Sequence, residues 1–173
     1  NLLTGGVSAG TVTAASLTGD ITGGAVTLTS LLMGDVSGGT VSAAALTGNV
    51  SAGAVTLTGA LTGNVLAGAG TVTAGSMAGS VGSSVTISGL LNGEITAGTN
   101  SLGSLTSASV TGGTNTITGA ATVTTVNGGT TTVGGVATIT TLTTGTLTFN
   151  GASGSIGTLT DGTFNLNGAA ATV

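Results

Sequence analysis

Lysine, arginine, histidine, cysteine, proline, tryptophan and tyrosine are all absent from this chain. Each absence excludes something. Without Lys or Arg no side chain neutralises a phosphate, so nucleic acid is not a partner by the usual electrostatic route, and lysine isopeptide crosslinks cannot form. Without His or Cys the common transition-metal ligands and the common general base are missing. No disulfide exists, so cysteine says nothing about redox compartment. Without Pro, every backbone N–H is free to pair in a sheet. Only Asp20, Asp35, Glu94 and Asp161 carry charge, a net −4 over 173 residues, where an ordinary domain is about a quarter charged. No apolar run approaches the ~20 residues of a membrane helix. The chain starts at Asn1 with no basic leader, as expected of a processed mature chain or an excerpt of a longer one.

What is present is repetition. Despite 35 Gly residues, the mean hydropathy of +0.66 sets the chain apart from disordered sequences, which combine low hydrophobicity with high charge. The stretch Leu46–Ser76 speaks one phrase twice, LTGNVSAGAVTLTG and then LTGNVLAGAGTVTAGS. With drift, the phrase recurs at Leu3, Leu17, Leu32, Leu46, Leu61, Met77 and Leu91, at intervals of 14 to 16 residues. Short fixed periods signal stacked supersecondary units. Two flavours alternate, one ending as in Ala25–Ser30, Ala54–Gly59 and Ser84–Gly89, the other as in Gly10–Ser16, Gly39–Ala45 and Gly70–Ser76. A period of about 29 residues therefore lies over the shorter one.

Three apolar columns follow. Val7, Ile21, Val36, Val50, Val65, Val81 and Ile95 form one, and Val12, Val26, Val41, Val55, Val72 and Val85 a second. The third alternates small and large: Ala14, Leu28, Ala43, Leu57, Ala74, Ile87. Apolar residues alternate with Thr, Ser or Gly, the period of a half-buried strand, while these residues are poor helix formers with no 3.6-residue stripe.

From about Leu105 the phrase changes. A Thr-x-Thr pair recurs every eight residues, at Thr114/Thr116, Thr122/Thr124, Thr130/Thr132, Thr138/Thr140 and Thr146/Thr148. Apolar residues repeat at sixteen, in the columns Ile117/Val133/Phe149, Val123/Ile139 and Val126/Leu142. A 16-residue coil of two similar halves fits, with Ser107–Gly113 a seam rather than a linker; the run Thr163–Ala169 echoes Thr146–Ala152. Glycine pairs and Asn92-Gly93, Asn127-Gly128, Asn150-Gly151 and Asn167-Gly168 mark turns.

These patterns predict an all-β chain, a single β-solenoid (β-helix) domain over 1–173, with LTGxV repeats of about 15 residues over 1–104 and Thr-rich repeats of 8 and 16 residues over 105–173. A short coil predicts a narrow two-sided ribbon of about eleven rungs, each about 4.8 Å from the next. The alternating Ala/Leu column favours the 29-residue coil; the downstream period favours the shorter one. A β-sandwich is the competing architecture.

The Gly/Thr/Ser/Val phrases resemble bacterial surface β-solenoids, the autotransporter passenger repeats and filamentous-haemagglutinin-like adhesins. The resemblance implies an exported, extracellular right-handed β-helix. The near-total lack of charge and the short coil depart from those families and are similar to subunits of insoluble bacterial surface appendages.

The residues compose no catalytic, cofactor-binding or metal-binding set, and no enzyme is expected. Asp20, Asp35 and Glu94 share a repeat column with Gly6, Asn49, Asn64 and Ser80, which suits a turn residue that bonds its own backbone. A Ca²⁺ site between stacked Asp20 and Asp35 is the alternative; a glycosidase pair lacks an aromatic platform for the sugar. Without His or Lys, no Ser or Thr has a base to form a triad, and Gly112-Gly113 lacks the Lys and helix of a phosphate loop. Asn49-Val50-Ser51 matches a glycosylation sequon.

Two functional readings remain. The Thr-x-Thr pairs resemble the ordered Thr rows of insect-type ice-binding proteins. Against that, only Thr27/Thr29 and Thr56/Thr58 match in the first half, and the centre of the pair is polar at Asn115 and Thr131; Thr is also simply a good solvent-face strand residue. The ends, Asn1–Gly10 and Gly162–Val173, carry none of the usual devices against edge pairing, and low charge with high β propensity describes a cross-β assembler. The favoured expectation is a self-assembling structural subunit of an extracellular filament or tube, whose partners are copies of itself; the alternative is an ice-binding or adhesive β-solenoid.

Overall fold

A computed structural model of the chain describes residues 1–151, 153–167 and 170–173. The Asn167-Gly168 turn and the ends of the runs Thr146–Ala152 and Thr163–Ala169 thus include positions outside the described residues. Among the described residues the chain is all-β with no helix and 67% strand, wound as a parallel β-solenoid of about 11 turns. Among the described residues 19 strands join into one sheet. No helix there is long and apolar enough to cross a membrane.

The register resolves the coil length. Partners on successive turns lie 14 or 15 residues apart early in the chain and 16 or 17 towards its end, with a 17-residue step followed by a 13-residue one between Val55, Val72 and Val85. The short coil is therefore the real one, and the 29-residue period is two turns. The Ala/Leu alternation has a different meaning from the one its sequence suggests. Ala14 sits directly on Leu28, Ala43 on Leu57 and Ala74 on Ile87, so large and small side chains alternate along the axis. A narrow interior has little room, and alternating sizes let each large side chain use the space left by its small neighbours. Corner length follows the same rhythm. Two residues lie between Ala14 and Leu17 and between Ala43 and Leu46, whereas three lie between Leu28 and Leu32 and between Leu57 and Leu61. The larger residue takes the wider corner.

Each turn pairs through three short segments rather than the two sides expected. In the third turn these are Leu31–Met33, Val36 with Ser37, and Thr40–Ala43. Glycines with positive φ make the corners, Gly34 (φ 151°) before the second segment and Gly39 (φ 76°) before the third, a conformation that costs glycine little. We call the three sides the first, second and third faces. Leu32, Val36, Val41 and Ala43 point inward and are buried. Stacked over the turns, they continue the columns read from sequence: the Val7–Ile95 column is a continuous series of parallel bridges that extends to Val110.

The seam at Ser107–Gly113 is a repacking, not a break. Upstream, each inward Leu of the first face is followed two residues on by glycine (Leu46 and Gly48, Leu61 and Gly63). Downstream the same two positions read Ala121 and Val123, then Ala137 and Ile139. Volume lost at the first position returns at the second, which is the kind of exchange a core tolerates. Ser107, the first residue to replace the glycine, is buried and satisfies its hydroxyl on the backbone of Ser109.

Candidate functional site: a threonine array on the third face

The third segment of each turn reads (polar or Ala)–x–polar–apolar, with x and the apolar residue inward up to the outermost described turn. Its outward residue between the two core columns is Thr13, Thr27, Ser42, Thr56, Thr73, Thr86, Ser101, Thr116, Thr132, Thr148 and Asn165. Each is the register partner of the next. Ten successive rungs therefore carry a hydroxyl before Asn165 ends the row. A second outward row lies two residues earlier: Thr11, Ala25, Thr40, Ala54, Thr71, Ser84, Thr99, Thr114, Thr130, Thr146 and Thr163. The side chains of both rows are exposed or half-buried.

This placement revises the sequence reading of the first half. Thr27 belongs to the array, but Thr29 lies beyond the inward Leu28, towards the corner, and Thr56/Thr58 divide the same way. The true pairs upstream are Thr11/Thr13, Thr40/Ser42 and Thr71/Thr73. The eight-residue recurrence downstream also divides between faces. Thr114/Thr116, Thr130/Thr132 and Thr146/Thr148 stack on the third face, while Thr122/Thr124 and Thr138/Thr140 occupy the first.

The two rows differ along their length. The earlier row alternates Thr and Ala over the first four turns and becomes Thr without exception from Thr99 onward. Between these blocks the corner before the third face is lengthened by residues 66–70 and then shortened at Ser83-Ser84, leaving a hollow of about 280 Å³ beside Thr71, Val85, Thr86 and Thr99. The complete two-row lattice is therefore the block from Thr99 to Thr148, closed by the rung of Thr163 and Asn165.

Under that block the core changes character. The inward column that is valine through Val85 continues as Asn100, Asn115 and Thr131 before returning to Leu147. All three polar residues are buried, with exposures of 2%, 1% and 1%. Val85 N–H donates to Asn100 Oδ1 at 3.2 Å, Asn100 Nδ2 to Asn115 Oδ1 at 2.7 Å, and Asn115 Nδ2 to Thr131 Oγ1 at 3.2 Å. The polar centres of the downstream Thr-x-Thr pairs thus point inward, and the flanking threonines point out. A column count from Ile95 and Val110, five residues back from Asn100 and Asn115, carries this signal in the sequence.

The acidic column does something different from the expected turn. Asp20 Oδ1 accepts the Asp35 N–H at 2.9 Å, Asp35 Oδ1 the Asn49 N–H at 2.7 Å, Asn49 Oδ1 the Asn64 N–H at 3.0 Å and Asn64 Oδ1 the Ser80 N–H at 2.9 Å. Each side chain bonds the backbone of the next turn rather than its own. The carboxylates are thereby engaged in joining coils, and no group of three or more potential metal ligands occurs among the described residues. Asn49 of the sequon also donates Nδ2 to Asp35 at 3.3 Å.

Comparison with protein-family profiles, curated proteins and solved structures finds no match. The fold and its surface define the class: a β-solenoid repeat protein with an uncharged, hydroxyl-bearing face.

Proposed function

We propose that the protein is a non-enzymatic, extracellular ice-binding solenoid whose third face engages the ordered water lattice. The observation that supports it is the two-row array from Thr99 to Thr148, continuous in register with the single row upstream. The polar centres of the downstream pairs point inward, and upstream the outward row is Thr13, Thr27, Ser42 and Thr56, with Thr11 and Thr40 beside it on alternate turns.

The physics favours a periodic ligand. Neighbouring rungs are about 4.8 Å apart and alternate residues on a strand about 6.7 Å apart, so the two rows form a regular grid of the kind only a periodic ligand can match over its length. Threonine is stiff at χ1, so the hydroxyls and methyls are held rather than sought at binding. One rung contributes little. A rigid row of many gains by engaging all of them at a low ordering cost. No charge on the third face competes by holding its own hydration shell.

Ice recrystallisation tests this directly. Micromolar protein is expected to hold grain size constant in annealed polycrystalline ice, at any ionic strength tested, because no ion pair contributes. Grains that coarsen as in buffer would remove the proposal.

A second reading, the self-assembling filament or tube subunit, draws on a separate observation. The outermost described turns expose Leu2 (67%), Leu3, Leu159, Leu166 and Val173 (65%), apolar surface that a further turn, from a second copy or from the same chain, would bury. Negative-stain images of the concentrated chain separate the two: filaments favour assembly, monodisperse rods favour the ice binder. Either reading fits the resemblance to bacterial surface β-solenoids.

A further inference from the structure

We infer that the buried Asn100–Asn115–Thr131 ladder consists of positioning residues for the threonine array. The inference rests on the ice-binding reading for its ligand but on independent geometry for its device.

Six turns of this solenoid fill the same inward column with Val12, Val26, Val41, Val55, Val72 and Val85. Valine is therefore sufficient for the fold. Burying amides instead is unfavourable unless every polar atom is paired, and here the pairing is complete: no buried side-chain N or O among the described residues lacks a partner. The substitution of polar for apolar is confined to three turns, and each residue lies between the two outward residues of one rung: Thr99 and Ser101, Thr114 and Thr116, Thr130 and Thr132. These three rungs lie within the block where the outer lattice is complete.

What the ladder adds over valine is direction. Dispersion between stacked valines is insensitive to small sliding or tilting, whereas a hydrogen bond weakens steeply with distance and angle. The axial bonds of 2.7 and 3.2 Å tie one rung to the next. The second hydrogen of each amide ties the rung to its own preceding corner, Asn100 Nδ2 to Ala97 O at 3.1 Å and Asn115 Nδ2 to Gly112 O at 3.2 Å. Those corners aim the chain into the third face. The same side chains thus set the axial spacing of the rows and the angle at which each row begins. Neither hydroxyl row is touched, so the contribution is to the regularity of the lattice and not to its contacts.

The test extends the valine column with Asn100→Val, Asn115→Val and Thr131→Val together. Replacing all three leaves no unpaired polar side chain in the column, and such joint replacements are often neutral or stabilising; the backbone groups Val85 N–H, Ala97 O and Gly112 O lose the side-chain bonds described above. The expected result is a melting temperature no more than about 5 °C below that of the parent, with ice recrystallisation inhibition falling roughly tenfold. Amide hydrogen exchange at 114–116 and 130–132 should accelerate about tenfold while exchange at 40–42 and 54–56 stays unchanged. Unchanged ice activity and unchanged exchange in the triple variant would overturn the inference. So would a triple variant that does not fold, because the ladder would then be needed for the core itself. If the parent chain has no ice activity the proposed function fails alone, and the exchange measurement still decides whether the ladder orders the rows.

Discussion

Replacing Thr116 and Thr132 by Tyr is expected to cut ice recrystallisation inhibition sharply and to leave the fold intact. The two residues are register partners in adjacent turns, in the middle of the complete block. Tyrosine is a good strand residue, and outward substitutions of this kind change stability by about 0.5 kcal/mol or less. A bulky ring on two adjacent rungs holds a flat lattice away from the whole block, so ice recrystallisation inhibition is expected to fall by roughly tenfold or more, about 1.4 kcal/mol in effective binding. The matched control is Thr122→Tyr with Thr138→Tyr on the first face, also register partners, where little loss is expected. Thr131 is not a face residue, despite its central place in a run of threonines, and a bulky side chain there tests the core instead. Equal losses from both Tyr pairs would detach ice binding from the third face.

The largest effect on stability is expected at Gly63. Its φ of +141° is a conformation other residues adopt at about 1–3 kcal/mol of strain. A Cβ there would overlap the carbonyl oxygen of Gly48 on the adjacent turn, and such overpacking costs a further ~1–3 kcal/mol. Gly63→Val should therefore destabilise by about 3–5 kcal/mol, read in chemical denaturation. In a quasi-one-dimensional stack the damage is shared with nearest neighbours, so hydrogen-exchange protection should drop first around 46–50 and 76–81. Thr62→Val, one residue away and exposed, should change stability by about 0.5 kcal/mol or less. A Gly63→Val chain that unfolds with the parent would contradict the steric account of the glycine column. Val123 and Ile139 occupy the corresponding positions downstream only because the backbone there is extended and the facing residues shrink to Ala121 and Ala137.

Much of this was readable in the sequence, and the failures are specific. The Val7–Ile95 and Val12–Val85 columns are the actual core columns, because period-two alternation in a stacked coil leaves little freedom over which residues face in. Coil length was harder. Ala14 over Leu28 looks like two kinds of turn, and only pairing distinguishes alternate turns from halves of a longer one. The upstream threonine pairs were hidden by alanine. Thr13, Thr27, Ser42 and Thr56 each lie ten residues after the leading Leu of their turn, but the position two residues earlier alternates Thr11, Ala25, Thr40 and Ala54, so a search for Thr-x-Thr finds Thr27/Thr29 and Thr56/Thr58 instead. Only at Leu61 and Met77 does the spacing change, to twelve residues at Thr73 and nine at Thr86. Anchoring on the valine column instead brings the row into line. Asn100 and Asn115 were unreadable by hydropathy alone, since a polar residue at an inward position looks the same as an outward one until its column is counted. Asp20 and Asp35 were placed at a corner correctly, but the partner of each side chain is one turn away, a contact no local turn rule contains.

The most direct measurement is ice-plane affinity. A single ice crystal is grown slowly in a dilute solution of the chain fused to a fluorescent protein, in parallel with the Thr116→Tyr, Thr132→Tyr variant. The account predicts fluorescence incorporated on defined crystal planes with the parent and a dark crystal with the variant. A dark crystal with the parent, or equal staining by both, would contradict it.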